Sequence, residues 1–132
     1  MGTDIHAFVE IKDDYSENWN GIDLGFFLNR WYDMFYAMAG VRAEKGQPVI
    51  LSKGLPSNIS IKANKKFVEM KEDAHTPSWL TLKEYIKALA LADKLSSKEN
   101  YKTPDCYHAI VDIMNAFTIL KFKVRLVFWF DC

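Results

Sequence analysis

The chain has 132 residues, 49% of them apolar, and its 17 basic side chains balance 17 acidic ones. That length fits one compact globular domain, residues 1–132, with a real core, and disfavours two independent domains. Charge balance removes the global field that would gather nucleic acid non-specifically or hold the chain on an anionic membrane.

The start MGTDIH lacks the basic and long apolar regions of a signal peptide, and no uninterrupted apolar run is long enough to span a bilayer, so a cytoplasmic protein is expected. Cys106 and Cys132 stand far apart without Cys-x-x-Cys spacing and read as reduced thiols. Nine Phe, six Tyr and four Trp are plentiful, and core packing is their default use.

In chain order, TDIHAFVEIK at residues 3–12 alternates as a strand does. Successive strand side chains point to opposite faces, so Asp4, His6 and Glu10 gather on the side away from Ile5, Val9 and Ile11. The following DDYSENWNGIDLG is dense in turn formers, including Asn20-Gly21, and predicts a loop or hairpin connection. Trp31, Met34, Phe35 and Met38 recur at helical spacing, and Gly40 stands where a helix commonly ends. Residues 41–60 carry Gly46, Pro48, Gly54 and Pro56, too many breakers for a long element, and predict an ordered surface loop. Its Lys53-Gly54-Leu55-Pro56 stretch either offers backbone amides to a ligand or serves only the turn.

Residues 65–73 suit a short charged helix with Phe67, Val68 and Met70 inward, the alternative being a strand through Ile59 and Ile61. His75-Thr76-Pro77-Ser78-Trp79 is expected as a loop. Thr81-Leu82-Lys83-Glu84 reads as a capping box opening a helix over 82–95, with Leu82, Tyr85, Ile86, Leu89 and Ala92 buried and Ser96-Ser97 ending it. Pro104 suits the first turn of another helix, with Tyr107, Ile110, Val111, Met114 and Phe117 on one face. KVRLVFWFD at residues 123–131 is a strand apolar on both sides, which calls for cover on both faces or an oligomer contact, and it is expected to pair with the first strand. No repeat or low-complexity segment interrupts this order. The fold class that follows is α+β: a small antiparallel sheet including the N- and C-terminal strands, packed with three to four helices.

Three groups of residues have chemical potential. Asp4, His6 and Glu10 offer oxygen and imidazole ligands that His75 can extend, although paired zinc-type spacing is lacking and simple hydrogen bonding is the ordinary alternative. His75, Ser78 and Trp79 combine an imidazole, a hydroxyl and an indole, which suits a ligand wall as well as a local turn over a buried ring. Arg30, Arg42 and Arg125 are the three arginines, and guanidinium groups converging would recognise a phosphate or carboxylate, whereas each alone fits a surface ion pair. No phosphate-cradling glycine loop, Gly-x-Ser-x-Gly elbow or His-Glu-x-x-His pair is present, and Cys106 and His108 are spaced to point apart.

The segments Gly2-Thr3-Asp4-Ile5-His6 with Glu10, Arg30 with Tyr32, Ala39-Gly40-Val41-Arg42, Gly54-Leu55-Pro56, His75 with Ser78-Trp79-Leu80-Thr81, and Val127-Phe128-Trp129-Phe130-Asp131 resemble those of a group of small bacteriophage and prophage proteins. The resemblance spans nearly the whole chain. Relatives often carry cysteine where Thr3 stands here, so a thiol role does not carry over to that position. The resemblance implies a phage setting, inside the cytoplasm of an infected bacterium, where such proteins commonly interfere with host defence.

Together these features point to a host-defence-countering protein that sequesters a small anionic nucleotide-like ligand, with Asp4, His6, Glu10, Arg30, Arg42, His75, Ser78, Trp79 and Arg125 forming a composite pocket and no cofactor. One alternative is a metal-assisted hydrolase in which Asp4, His6 and His75 hold a divalent ion and Glu10, with His75, supplies acid–base catalysis. The other is a protein–protein inhibitor of a host defence enzyme. Expected partners are therefore a small anionic ligand or a host protein; a homo-oligomer is compatible with the apolar last strand.

Overall fold

The computed structural model describes residues 2–42 and 50–131. Gly46, Pro48 and Cys132 of the sequence reading lie outside the described residues.

The first and last strands meet at the centre of the molecule. β1 (Asp4–Lys12) and β4 (Lys123–Asp131) run antiparallel over their full lengths, from Asp4 opposite Asp131 to Lys12 opposite Lys123. β2 (Asn20–Asp23) flanks β1 and β3 (His75–Leu80) flanks β4, giving a four-stranded antiparallel sheet in the order β2-β1-β4-β3.

Alternation sorts the two faces. Ile5, Ala7 and Val9 with Leu126, Phe128 and Phe130 form one face of the main core, against α1 (Tyr32–Ala39), α3 (Leu82–Lys98) and α4 (Asp105–Ile119). The other face buries Phe8 and Trp129 under α2 (Ile61–Met70), through Ala63, Phe67 and Met70. The apolar character of β4 on both sides is thus explained by helices above and below it.

Local chemistry sets the helix ends. Gly40 takes φ 73° and its N–H caps the Tyr36 carbonyl, closing α1. Thr81 and Glu84 exchange the reciprocal bonds of a capping box at the start of α3. α4 begins directly after Pro104.

Several local expectations are corrected. Asn20-Gly21 lies within β2 and not in the turn, because the connection is made earlier by Asp13, whose Oδ1 accepts from the Tyr15 and Ser16 amides at 3.0 and 2.8 Å. Residues 75–80 form a strand and not a loop; a bulge between His75 and Ser78 accommodates Thr76 at φ 51°. The ambiguous 61–73 segment is helical from Ile61, with a single 3-10 turn at Lys71–Asp73, and Val68 faces solvent. α3 continues past Ser96, which is buried inside it, and Ile86 is exposed while Ala88 takes its place in the core.

Candidate functional site

Five stretches of chain meet where β1 begins and β4 ends. Thr3 and Asp4 are neighbours in sequence, and each receives an arginine from a different end of α1. Arg30, just before the helix, donates from Nε and Nη2 to the two Asp4 oxygens at 2.7 and 3.2 Å. Arg42, just after it, donates from Nε to Thr3 Oγ1 at 3.1 Å and lies over the Tyr32 ring, 4.6 Å from its centroid. The Tyr32 hydroxyl in turn accepts from the Thr3 amide at 3.2 Å. Arg30 and Arg42 thus flank Tyr32, one held by the Asp4 carboxylate and the other by the Thr3 hydroxyl.

Gly2 leaves the room that Arg30 takes beside Asp4. A Cβ on Gly2 would sit 1.9 Å from Arg30 Nη1, so the guanidinium occupies the space that any other residue's side chain would fill. The pair is half exposed at both members, and its hydrogen bonds hold the Asp4 carboxyl below the usual carboxylate range and raise Arg30.

On the same sheet face, His6 Nε2 lies 2.6 Å from Asp131 Oδ2, and the His6 ring stacks on Trp129 at 6.0 Å. Asp131 stands opposite Asp4 in the ladder. Two carboxylates side by side repel unless each has its own cation or donor; Arg30 serves one and His6 the other.

The remaining predicted residues separate. His75 pairs with Phe130 and packs against its ring at 6.2 Å, at this same end but on the face covered by α1, α3 and α4, opposite to His6. Asp4, His6 and His75 therefore do not surround one point, and among the described residues no three His, Cys, Asp or Glu side chains come together to hold a metal ion. Glu10 is six residues along β1 from Asp4, about 20 Å away. It is fully buried, accepting from Arg125 Nε at 2.8 Å and the Ser60 amide at 2.8 Å. Arg125 also donates to Asn58 and lies 3.9 Å from the Trp19 ring centroid, so Glu10 and Arg125 anchor two loops to the sheet.

Ser78 and Trp79 also secure a loop. Ser78 Oγ accepts from the Lys53 amide at 3.0 Å, and Lys53 Nζ lies 3.8 Å from the Trp79 ring centroid and 2.6 Å from Glu84 Oε1. The Gly54 amide donates to the Pro77 carbonyl at 3.0 Å, so the Gly54-Leu55 stretch closes the outer edge of β3.

Beside Arg30 opens a cleft of about 250 Å³, lined by Arg30, Trp31, Tyr32, Asp33, Glu99 and Tyr101. Asp33 comes from the first turn of α1; Glu99 and Tyr101 follow the end of α3, where Asn100 takes φ 54°. Asp33 Oδ2 accepts from Ser96 Oγ at 2.6 Å, and Ser96 Oγ accepts from Trp31 Nε1 at 2.9 Å, a chain of bonds tying α1 to α3. Tyr32, Asp33, Glu99, Tyr101 and Asp131 were not singled out as site residues by pattern. Tyr32 and Asp131 carry a signal only as members of the motifs on which the resemblance rests, and Glu99 and Tyr101 carry none.

No protein-family model, curated protein or solved structure matches this chain. Among the described residues, no helix is long and apolar enough to cross a membrane.

Proposed function

We propose that the chain binds and sequesters a small anionic, nucleotide-like ligand at the end of the sheet where Arg30 and Arg42 are both held beside Tyr32. The observation that carries this reading is their attachment to the consecutive residues Thr3 and Asp4, with Tyr32 between them. Asp4 engages two of the five N–H groups of Arg30 and fixes the plane of the guanidinium, which is the preorganisation that phosphate recognition needs. The adjoining cleft supplies aromatic rings for a flat group. Arg125 has no part in this pocket, since its charge is matched internally by Glu10.

The setting we propose is a phage accessory protein that lowers the free concentration of a host defence signal. It rests on the resemblance of the Gly2–His6, Arg30/Tyr32, Ala39–Arg42 and Val127–Asp131 motifs to those of small phage proteins.

Native mass spectrometry of the protein from infected cells, before and after denaturation, tests the reading. A retained small anion released intact, with a thermal midpoint that rises as nucleotide is added, is the expected result, and Arg30→Ala and Arg42→Ala should each abolish both. Chelator-sensitive conversion of the ligand would replace sequestration with metal-assisted hydrolysis. A stable complex with a host protein, with no small molecule retained and no nucleotide-induced stabilisation, would overturn the pocket altogether.

A further inference from the structure

The two edges of the sheet are finished differently. The outer edge of β3 is closed by the Gly54 amide on the Pro77 carbonyl, whereas no such bond closes the outer edge of β2 among the described residues. The Leu24 amide donates to the Ala7 carbonyl at 2.8 Å, and this sets the alternation along β2. Asn20 and Ile22 turn their backbone groups towards β1, and Gly21 and Asp23 turn theirs outward. An open row of amides and carbonyls is a template for another strand.

α2 runs alongside this edge. A Cβ on Gly21 would lie 2.7 Å from Oγ of Ser60, the cap of α2, and Lys66 reaches from the second turn to Asp23 at 3.1 Å. Between strand and helix lies a groove of about 490 Å³, whose walls include Trp19, Gly21, Ile61 and Lys62 and no carboxylate. The first turn of α2 has no acidic residue either, and its N-terminal half carries Lys62, Lys65 and Lys66. Lys66 is matched by Asp23, but Lys62 and Lys65 enter no ion pair among the described residues. The groove therefore combines an open strand edge with an excess of positive charge.

We propose that this groove takes an extended acidic peptide of a partner protein, which joins the sheet as a further strand beside β2. Backbone bonds to Gly21 and Asp23 fix the register, and Lys62 with the positive end of α2 selects carboxylates. Directly opposed residues share a face, so the peptide residues that pair with Gly21 and Asp23 point to the α2 side, and their own amides bond β2. Acidic residues belong at those alternate positions, and apolar ones between them, on the side of Ile22. A second copy of the chain fits worse. Pairing β2 with β2 about a two-fold axis at Ile22 sets Gly21 of one copy opposite Asp23 of the other, and so brings Lys62 against Lys66.

Calorimetry and amide NMR of the full chain with short, end-blocked peptides of alternating Glu and Val test this. The Glu-Val peptide should slow hydrogen exchange at the Gly21 and Asp23 amides and bind about tenfold more tightly than a Lys-Val peptide. Methylating the Glu amide nitrogens should abolish binding, and methylating the Val nitrogens should leave it intact. Lys62→Glu, at an exposed position, should weaken the Glu-Val peptide about tenfold with the thermal midpoint unchanged. No binding, equal binding of the Glu-Val and Lys-Val peptides, or equal loss from the two methylation patterns would overturn the acidic strand. A dimer in sedimentation equilibrium that protects the same two amides would replace the partner by a second copy.

Discussion

Glu10 and Arg125 face each other across the central strand pair as a sealed ion pair, Nη2 to Oε1 at 2.7 Å, with side-chain exposures of 0% and 8%. Charges so far from water are tolerable only when every polar atom is matched. Here the second Glu10 oxygen takes the Ser60 amide and Arg125 takes both oxygens of Asn58, under the Trp19 ring. Removing one partner should be far worse than removing both. Glu10→Gln or Arg125→Met alone should lose about 3–5 kcal/mol, and Glu10→Leu combined with Arg125→Met should recover most of it. Urea unfolding of the three variants checks this; a double variant that loses the sum of the two single losses would mean that the charges are not coupled.

The Arg30–Asp4 pair should behave in the opposite way. Both members are about half exposed, and such pairs contribute little to stability. Gly2→Ala places a methyl group within 1.9 Å of Arg30 Nη1 and should push the guanidinium off Asp4. The expected outcome is an unchanged thermal midpoint with nucleotide affinity reduced as far as in Arg30→Ala. Arg30→Lys should fail similarly, since an ammonium cannot form the two-pronged contact. Retained affinity in Gly2→Ala would show that the Asp4 contact is not what orients the arginine.

These two ion pairs mark how far local pattern reaches. Alternation in residues 3–12 places Asp4, His6 and Glu10 on one face, and the structure agrees. Yet their partners lie 26, 125 and 115 residues away, at Arg30, Asp131 and Arg125, and nothing local specifies a contact of that range. β4 is legible to the residue because β-branched and aromatic side chains fill both of its faces. β3 is not, because His75-Thr76-Pro77 has neither the composition nor the donors of a strand; it survives at the sheet edge, where Pro77 needs no amide and its carbonyl takes Gly54. Ser96 misleads for a related reason: serine commonly marks a helix end by bonding its own backbone, whereas this one bonds Trp31 and Asp33 from inside α3.

His108 should give stability a measurable pH dependence. It bridges α4 to Asp93 of α3, with Nε2 3.0 Å from Asp93 Oδ2 and Nδ1 3.1 Å from the Pro104 carbonyl. Burial, the largest single influence, pushes its pKa down, but the bonds to Asp93 and Pro104 and the charges of Asp93 and Asp105 outweigh it and raise it above 6.5. A raised folded pKa means that protonated His108 favours the fold. Its contribution is complete below the unfolded value of about 6.5 and disappears as pH climbs through the folded value. The urea midpoint of the wild-type chain relative to His108→Gln should therefore narrow from about pH 6 to pH 8. A difference that widens over that interval would reverse the sign of the linkage.

The cleft should respond to Ser96 although Ser96 does not line it. Its hydroxyl is fully buried, accepting from Trp31 Nε1 and donating to Asp33, and so joins the start of α1 to the last turns of α3. Ser96→Ala removes no bulk that packing needs, but leaves the indole N–H without its acceptor in a place where water is excluded. An orphaned buried group of this kind costs about 1–3 kcal/mol. Because Asp33 on α1 and Tyr101, just beyond the end of α3, line the same cleft, nucleotide affinity should fall along with stability. Ser96→Thr retains the hydroxyl, and its recovery of affinity would attribute the defect to the bond itself, as measured by calorimetry beside the unfolding curve. If Ser96→Ala lowers stability but binds nucleotide as the wild type does, the α1–α3 tie is structural alone and the cleft walls are held by other contacts.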